Sequence, residues 1–202
     1  MKFKFNAFKL SGIIIIIFIL QLLIDNFTNW FVLNQSSYIQ IWRFLTAVFL
    51  HGSLAHLISN LFALALFGSI LESLIGGKKF LWVFFTSGII ANIIAVNFYS
   101  SSLGASGAIF GIIGALVIVR PTLTVWAFGM PMPMFIAAII WFILDLIGVF
   151  VPSDVGNIAH LSGLAIGILF GLFYRDWTRK EKKQTLSIPE NHMRNWEDVY
   201  MR

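Results

Sequence analysis

The stretch GASGAIFG, residues 104 to 111, opens a run of fourteen residues, Ser106 to Val119, without a charged or strongly polar side chain after its first serine. A serine between Gly104 and Gly107 at the mouth of such a run invites two readings. Small residues let membrane helices approach closely, so the segment could be a packing seam. A serine hydroxyl with a neighbouring base is also a nucleophile. The polar residues elsewhere in the chain decide how the two readings relate.

Composition places the run in a membrane. Apolar residues make up 58% of the 202-residue chain and charged ones 11%, against roughly 45–50% and 25% in a soluble domain. Mean hydropathy is +0.86. Cysteine is absent, which removes disulfides, thiolate catalysis and cysteine-bound metals. The net charge of +5 is better assigned to basic residues at the cytoplasmic ends of helices than to a nucleic-acid surface, so no nucleic-acid partner is expected.

A span requires about 20 mostly apolar residues. Runs of that kind predict spans over about 10–30, 53–74, 80–97, 106–119, 134–150 and 158–174, an all-α polytopic protein of six transmembrane helices. The first is read as an uncleaved span, since DNFTNWF follows it without a small-residue cleavage site. Residues 1–175 form the membrane domain and 176–202 a charged tail with no clear fold. Trp30, Phe31, Tyr38 and Trp42 suit the membrane interface, and RPTLTVWAFGMPMP is a proline-bounded connection. With six spans and the N-terminus inside, Lys2, Lys4, Lys9, Lys78, Lys79, Arg120, Arg175 and the tail lie on the cytoplasmic side. Arg43 alone lies outside, and it is read as tying down the first loop.

That topology gathers polar residues in one layer. His51, His56 and Asn60 fall at the outer end of the second span, Ser106 at the outer end of the fourth and His160 at that of the sixth. Ionisable groups at membrane depth are costly and normally face one another or a wet cavity. His192 lies in the tail. His56 and Asn60, four apart, share a helix face. Gly107 and Gly111 make one seam, and Gly163, Gly167 and Gly171 another. If these seams meet, they bring Ser106 and His160 together, so packing positions the chemistry. A metal is not expected. In HGSLAH the histidines are five apart with no carboxylate between them, unlike the H-E-x-x-H of zinc hydrolases. Asp145 has two readings: a cap for the loop around Gly148, which the sequence favours, or an orienting acid for His160. A transporter would show paired broken helices or charges at mid-membrane, and no such pattern is present.

WRFLTAVFLH with Trp42 and Arg43, HGSLAHLISN, GASGAIFG and AHLSGLAIG, in this order and spacing, resemble the rhomboid family of intramembrane serine proteases. The resemblance covers essentially all six spans. It implies a Ser–His dyad with no required acid and no cofactor, Ser106 as nucleophile and His160 as base. It implies an oxyanion hole from His56, Asn60 and the Ser106 N–H, and substrates that are membrane-anchored proteins cut near the outer face. Phe110 falls where the family often has an aromatic, commonly tyrosine, that packs on the catalytic histidine. His51 matches a position supporting the first loop and Glu72 a structural carboxylate. A catalytically inactive relative that binds client helices is the alternative. Short loops suggest a prokaryotic plasma membrane.

Overall fold

The computed structural model describes residues 5–151 and 155–186, with helix backbone only from 176 onward. Lys2, Lys4, His192 and the tail beyond Leu186 lie outside the described residues.

The chain begins with α1 (Asn6–Leu23). The first span was expected to continue to Trp30, but it stops here. Asp25 and Asn26 turn the chain, Asn26 takes a left-handed φ of 61°, and a short α2 (Phe27–Phe31) follows. Asparagine is among the few non-glycine residues that adopt this conformation at modest cost. After β1 (Leu33–Asn34), a 3-10 turn (Gln35–Tyr38) and α3 (Arg43–Thr46) complete the first loop. The second span joins α4 (Leu54–Ala63) through a π-turn (Leu64–Gly68) to α5 (Ser69–Ile75). Then come α6 (Gly77–Ala95), β2 (Ser101–Ser102, paired antiparallel with β1) and α7 (Ser106–Val119). The connection after α7 is a hairpin of β3 (Thr124–Ala127) and β4 (Met130–Pro133), turned at Phe128 and Gly129 with positive φ. Finally come α8 (Met134–Gly148) and α9 (Asn157–Leu186), which carries the last span on as continuous helix past Arg175.

Among the described residues, four helical segments are long and apolar enough to cross a membrane: Asn6–Leu23, Leu54–Ile75, Gly77–Ala95 and Asn157–Arg175. The other two apolar helices, Ser106–Val119 and Met134–Gly148, are shorter. At 1.5 Å per residue α7 is about 21 Å long, less than a bilayer core. It tolerates this because it is walled by protein, with ten of its fourteen residues buried. The protein is therefore a helical membrane bundle with α7 at its centre. α8 is the opposite case. Its Ile139, Phe142, Ile143, Leu146 and Ile147 are exposed along one side, a lipid-facing stripe, while Met134, Ala137, Ala138 and Asp145 turn inward.

α7 packs most extensively against α9, and glycine is the reason. A Cβ on Gly163 would lie 1.9 Å from the Gly107 carbonyl oxygen, and one on Gly167 would lie 1.9 Å from that of Gly111. Gly114 approaches the Leu164 carbonyl in the same way, at 2.3 Å. No side chain fits between these backbones. At the other end of the bundle, the buried carboxylate of Glu72 accepts the backbone N–H groups of Asn6 and Ala7, both at 3.1 Å. It caps the start of α1, whose first N–H groups have no partner of their own.

Gly167→Ala should lower stability by about 2 kcal/mol or more, since the α7 backbone must move to admit the methyl. Gly12→Ala, where a Cβ meets nothing within 4 Å, should leave stability level or slightly higher. Unfolding midpoints in detergent check the pair; equal midpoints would remove the seam as the packing constraint.

Candidate active site

Ser106 is the first residue of α7, so the N–H groups of its first turn have no acceptor within the helix and face outward with the positive end of the helix dipole. The approach to it is held by Gly104, whose N–H donates to the Ala47 carbonyl at 2.9 Å. Gly104 has φ +122°, and a Cβ there would lie 2.7 Å from His56 Cε1 and 2.8 Å from Nε2. The same point is 3.9 Å from Ser106 Oγ. The imidazole of His56 and the hydroxyl of Ser106 therefore flank one bare Cα, and only glycine serves there.

His56 sits in the first turn of α4. Ser53 caps that helix, its Oγ accepting the His56 N–H at 3.1 Å. Asn60 is buried one turn on, and its Nδ2 donates to the His56 carbonyl at 2.9 Å, which uses one of the two amide N–H bonds. His51 is buried just before the helix. Gln21 of α1 clamps its backbone, accepting the His51 N–H at 3.0 Å and donating to its carbonyl at 3.2 Å. The His51 and His56 rings meet edge-on at 5.0 Å. Burial, followed by the neighbouring His56, lowers the His51 pKa to about 4, so its imidazole is neutral at physiological pH.

His160 lies in the first turn of α9. The Tyr99 hydroxyl accepts the Ile158 N–H at 3.0 Å and so fixes that end of the helix. Phe110, one turn along α7 from Ser106, stacks on the His160 ring at 4.3 Å and 5°. A Cβ on Gly107 would lie 3.5 Å from the Ala159 carbonyl, so the residue after the serine is set against the residue before the histidine. Ser106, His160, His56 and Asn60 thus share one end of the bundle. Among the described residues Ser106 Oγ has no hydrogen-bond partner.

The reading of Asp145 as a loop cap is corrected. Its carboxylate is buried, and Oδ1 lies 2.9 Å from His160 Nδ1. The amide of Asn157, not the acid, occupies the space beside Gly148, where a Cβ would lie 2.6 Å from Asn157 Oδ1. That close approach joins the end of α8 to the start of α9. One turn inward from it on each helix, the acid faces the histidine. The lone acid in the apolar segment IWFILDLIG is the sequence signal that could have pointed to this role instead.

Arg43 stays away from the serine. Its guanidinium donates to the Asn29 and Val32 carbonyls at 2.9 and 2.7 Å and ties the first loop together. Trp42 is half-exposed, with Nε1 3.5 Å from the Trp30 carbonyl. Tyr99 and Gln21 carried no sequence signal. Among the described residues no group of three His, Asp or Glu side chains is arranged to hold a metal.

A family model of the Rhomboid domain matches residues 38–177. The chain belongs to the rhomboid family. Among similar proteins, RHOMBOID-like protein 6, mitochondrial, of Arabidopsis thaliana is 31% identical over 132 residues, 64% of this chain and 42% of that protein. Rhomboid protease GlpG of Haemophilus influenzae is 28% identical over 134 residues, 65% of this chain and 69% of the relative. Rhomboid protease GlpG of Yersinia pseudotuberculosis is 27% identical over 157 residues, 76% and 54% of the two chains. This chain thus spans between 42% and 69% of these relatives. α1 precedes the matched rhomboid domain yet is bound into it through Glu72 and Gln21.

The His51 shift has a consequence for stability. An unfolded imidazole protonates near its ordinary 6.5, the folded one near 4. Below pH 6.5 the unfolded chain binds more protons, so this contribution to stability is lost as pH falls from 6.5 toward 4. His51→Gln should therefore show a smaller drop in unfolding midpoint than the parent between about pH 7 and about pH 4.5. Parallel curves would contradict it.

Proposed function

We propose that this rhomboid is an intramembrane serine endopeptidase. It cleaves membrane-anchored proteins near the extracytoplasmic face of a prokaryotic plasma membrane, with both of its own termini cytoplasmic. The observation that carries the reading is the crossing of α7 and α9 at Gly107 and Gly163, which sets Ser106 and His160 at the same end of two helices. The names of the GlpG relatives support it. The orientation rests on charge. Lys78, Lys79, Arg120 and Arg175 stand at one set of helix ends, while Arg43 stands in the loop at the other.

In this reading His160 Nε2 takes the Ser106 proton as Oγ attacks the scissile carbonyl. The Ser106 N–H, His56 and the free N–H of Asn60 receive the developing oxyanion, each worth about 3–4 kcal/mol in a site of low dielectric. His160 then protonates the leaving amine, and water releases the acyl group. A helical substrate hides its carbonyls in hydrogen bonds, so it must unwind to present one. A cavity of about 500 Å³ adjoins this layer, its walls mixing Phe18, Leu22 and Leu54 with Gln21, Thr28 and Ser53, and in this reading it is the space from which water enters. The second reading is an inactive relative that holds client helices. It is favoured only by the Ser106 hydroxyl having no partner among the described residues.

A fluorophosphonate probe on the purified chain should label Ser106, and Ser106→Ala and His160→Ala should abolish labelling and cleavage of a single-span substrate. Asn60→Ala should lower kcat by on the order of 10²-fold. An unlabelled wild-type protein that still binds client helices would establish the second reading instead.

A further inference from the structure

The stacking of Phe110 on His160 fixes the plane of the imidazole and leaves one freedom. A half-turn about Cβ–Cγ keeps the ring in the same plane but exchanges Nδ1 with a carbon. It also swings Nε2 to a different place. Asp145 removes that freedom, because its Oδ1 lies 2.9 Å from Nδ1 and would lose its partner in the flipped ring. We infer that Asp145 is a positioning residue, completing a Ser106–His160–Asp145 relay in which the carboxylate sets the orientation and tautomer of His160. This rests on the protease reading above, and it departs from the two-residue site that the family resemblance implies.

The surroundings of Asp145 favour this over a packing role. It is the single acid on α8, turned inward opposite a stripe of exposed apolar residues. His160 Nδ1 is its only side-chain partner among the described residues, and Oδ2 is buried with none. A buried carboxylate with one hydrogen bond is costly. A positive partner offsets that cost, and none of the described lysines or arginines forms an ion pair with it. The imidazolium that forms during the reaction is such a partner. An ionised carboxylate can only accept, so Nδ1 keeps its proton and Nε2 presents its lone pair. As Oγ bonds to the scissile carbon, the Ser106 proton passes to Nε2. As the C–N bond breaks, the same proton passes to the leaving nitrogen. The Nδ1 proton stays on the ring throughout, and Asp145 neither gains nor loses one.

The test uses the full chain and compares Asp145→Asn with Asp145→Glu. Asparagine keeps the shape and loses the charge; glutamate does the reverse. The inference expects Asp145→Asn to label with fluorophosphonate and turn over substrate on the order of 10²-fold more slowly. KM should stay within about twofold, and Asp145→Glu should recover at least a tenth of kcat. A packing role predicts the opposite order, asparagine tolerated and glutamate harmful. Nitrogen-15 histidine spectra give a second readout that does not depend on turnover or on either variant folding. Wild-type His160 should carry its proton on Nδ1. A proton on Nε2, or an Asp145→Asn enzyme as fast as wild type, would overturn the inference while leaving the protease reading in place. A wild-type chain that neither labels nor cleaves would overturn that reading instead, and with it the relay.

Discussion

The contact on which the structure depends is the approach of two backbones, α7 and α9, with no side chain between them. Lipid offers no hydrophobic drive toward helix association, so the helices are held by close packing and by polar contacts. Glycines at 107, 111, 163 and 167 permit packing closer than any other residue allows, since a methyl at 163 or 167 would fall inside a neighbouring carbonyl's radius. The seam also fixes the axial register of the two helices. A slide of one turn would put the Ala159 methyl against the Gly107 carbonyl in one direction, and in the other would put Arg175 against the Ala115 carbonyl, where a Cβ on Gly171 already lies at 2.9 Å. With register fixed, the first turns of both helices end at one level, and the residues they carry face each other.

The rest of the bundle completes that level from elements distant in sequence. α6 supplies no polar group to it, yet the segment after α6 brings Tyr99 to the first turn of α9 and Gly104 to the ring of His56. α8 brings Asp145, and α4 brings His56 and Asn60. Each arrival is set by an approach no larger side chain would allow, Gly104 against His56 and Gly148 against Asn157. The precision of the site therefore comes from close approaches made both by the helices and by the connection between α6 and α7.

Much of this was legible in the sequence. The six apolar segments, the start of α7 at Ser106 and its end at Val119 follow from hydropathy and turn residues alone. The polar layer follows because ionisable groups in lipid are rare and must converge. What escaped are contacts that depend on helix rotation. Asp145 was visible as an oddity, but whether it faces Gly148's loop or His160 turns on how α8 is rotated against α9. The exposed stripe on α8 settles that rotation only once it is seen to be lipid-facing. Glu72 was recognisable as structural, but its partner, the N-terminus of α1, lies more than sixty residues away. The break after Leu23 was hidden because WF at 30–31 continues the apolar count across a turn at Asn26.

Two of the layer's polar groups share a further property. His160 and Asn60 each spend one hydrogen-bonding atom on the scaffold and keep another. His160 spends Nδ1 on Asp145, and Asn60 spends one N–H on the His56 carbonyl. In hydrocarbon the second atom of each would be a standing penalty of several kcal/mol. Such half-satisfied groups are least costly where water can reach them. This is why they stand at the helix ends and not at mid-span. In the protease reading proposed above, the same water releases the acyl group, so the condition that makes the polar layer tolerable in a membrane would also be the condition for hydrolysis there.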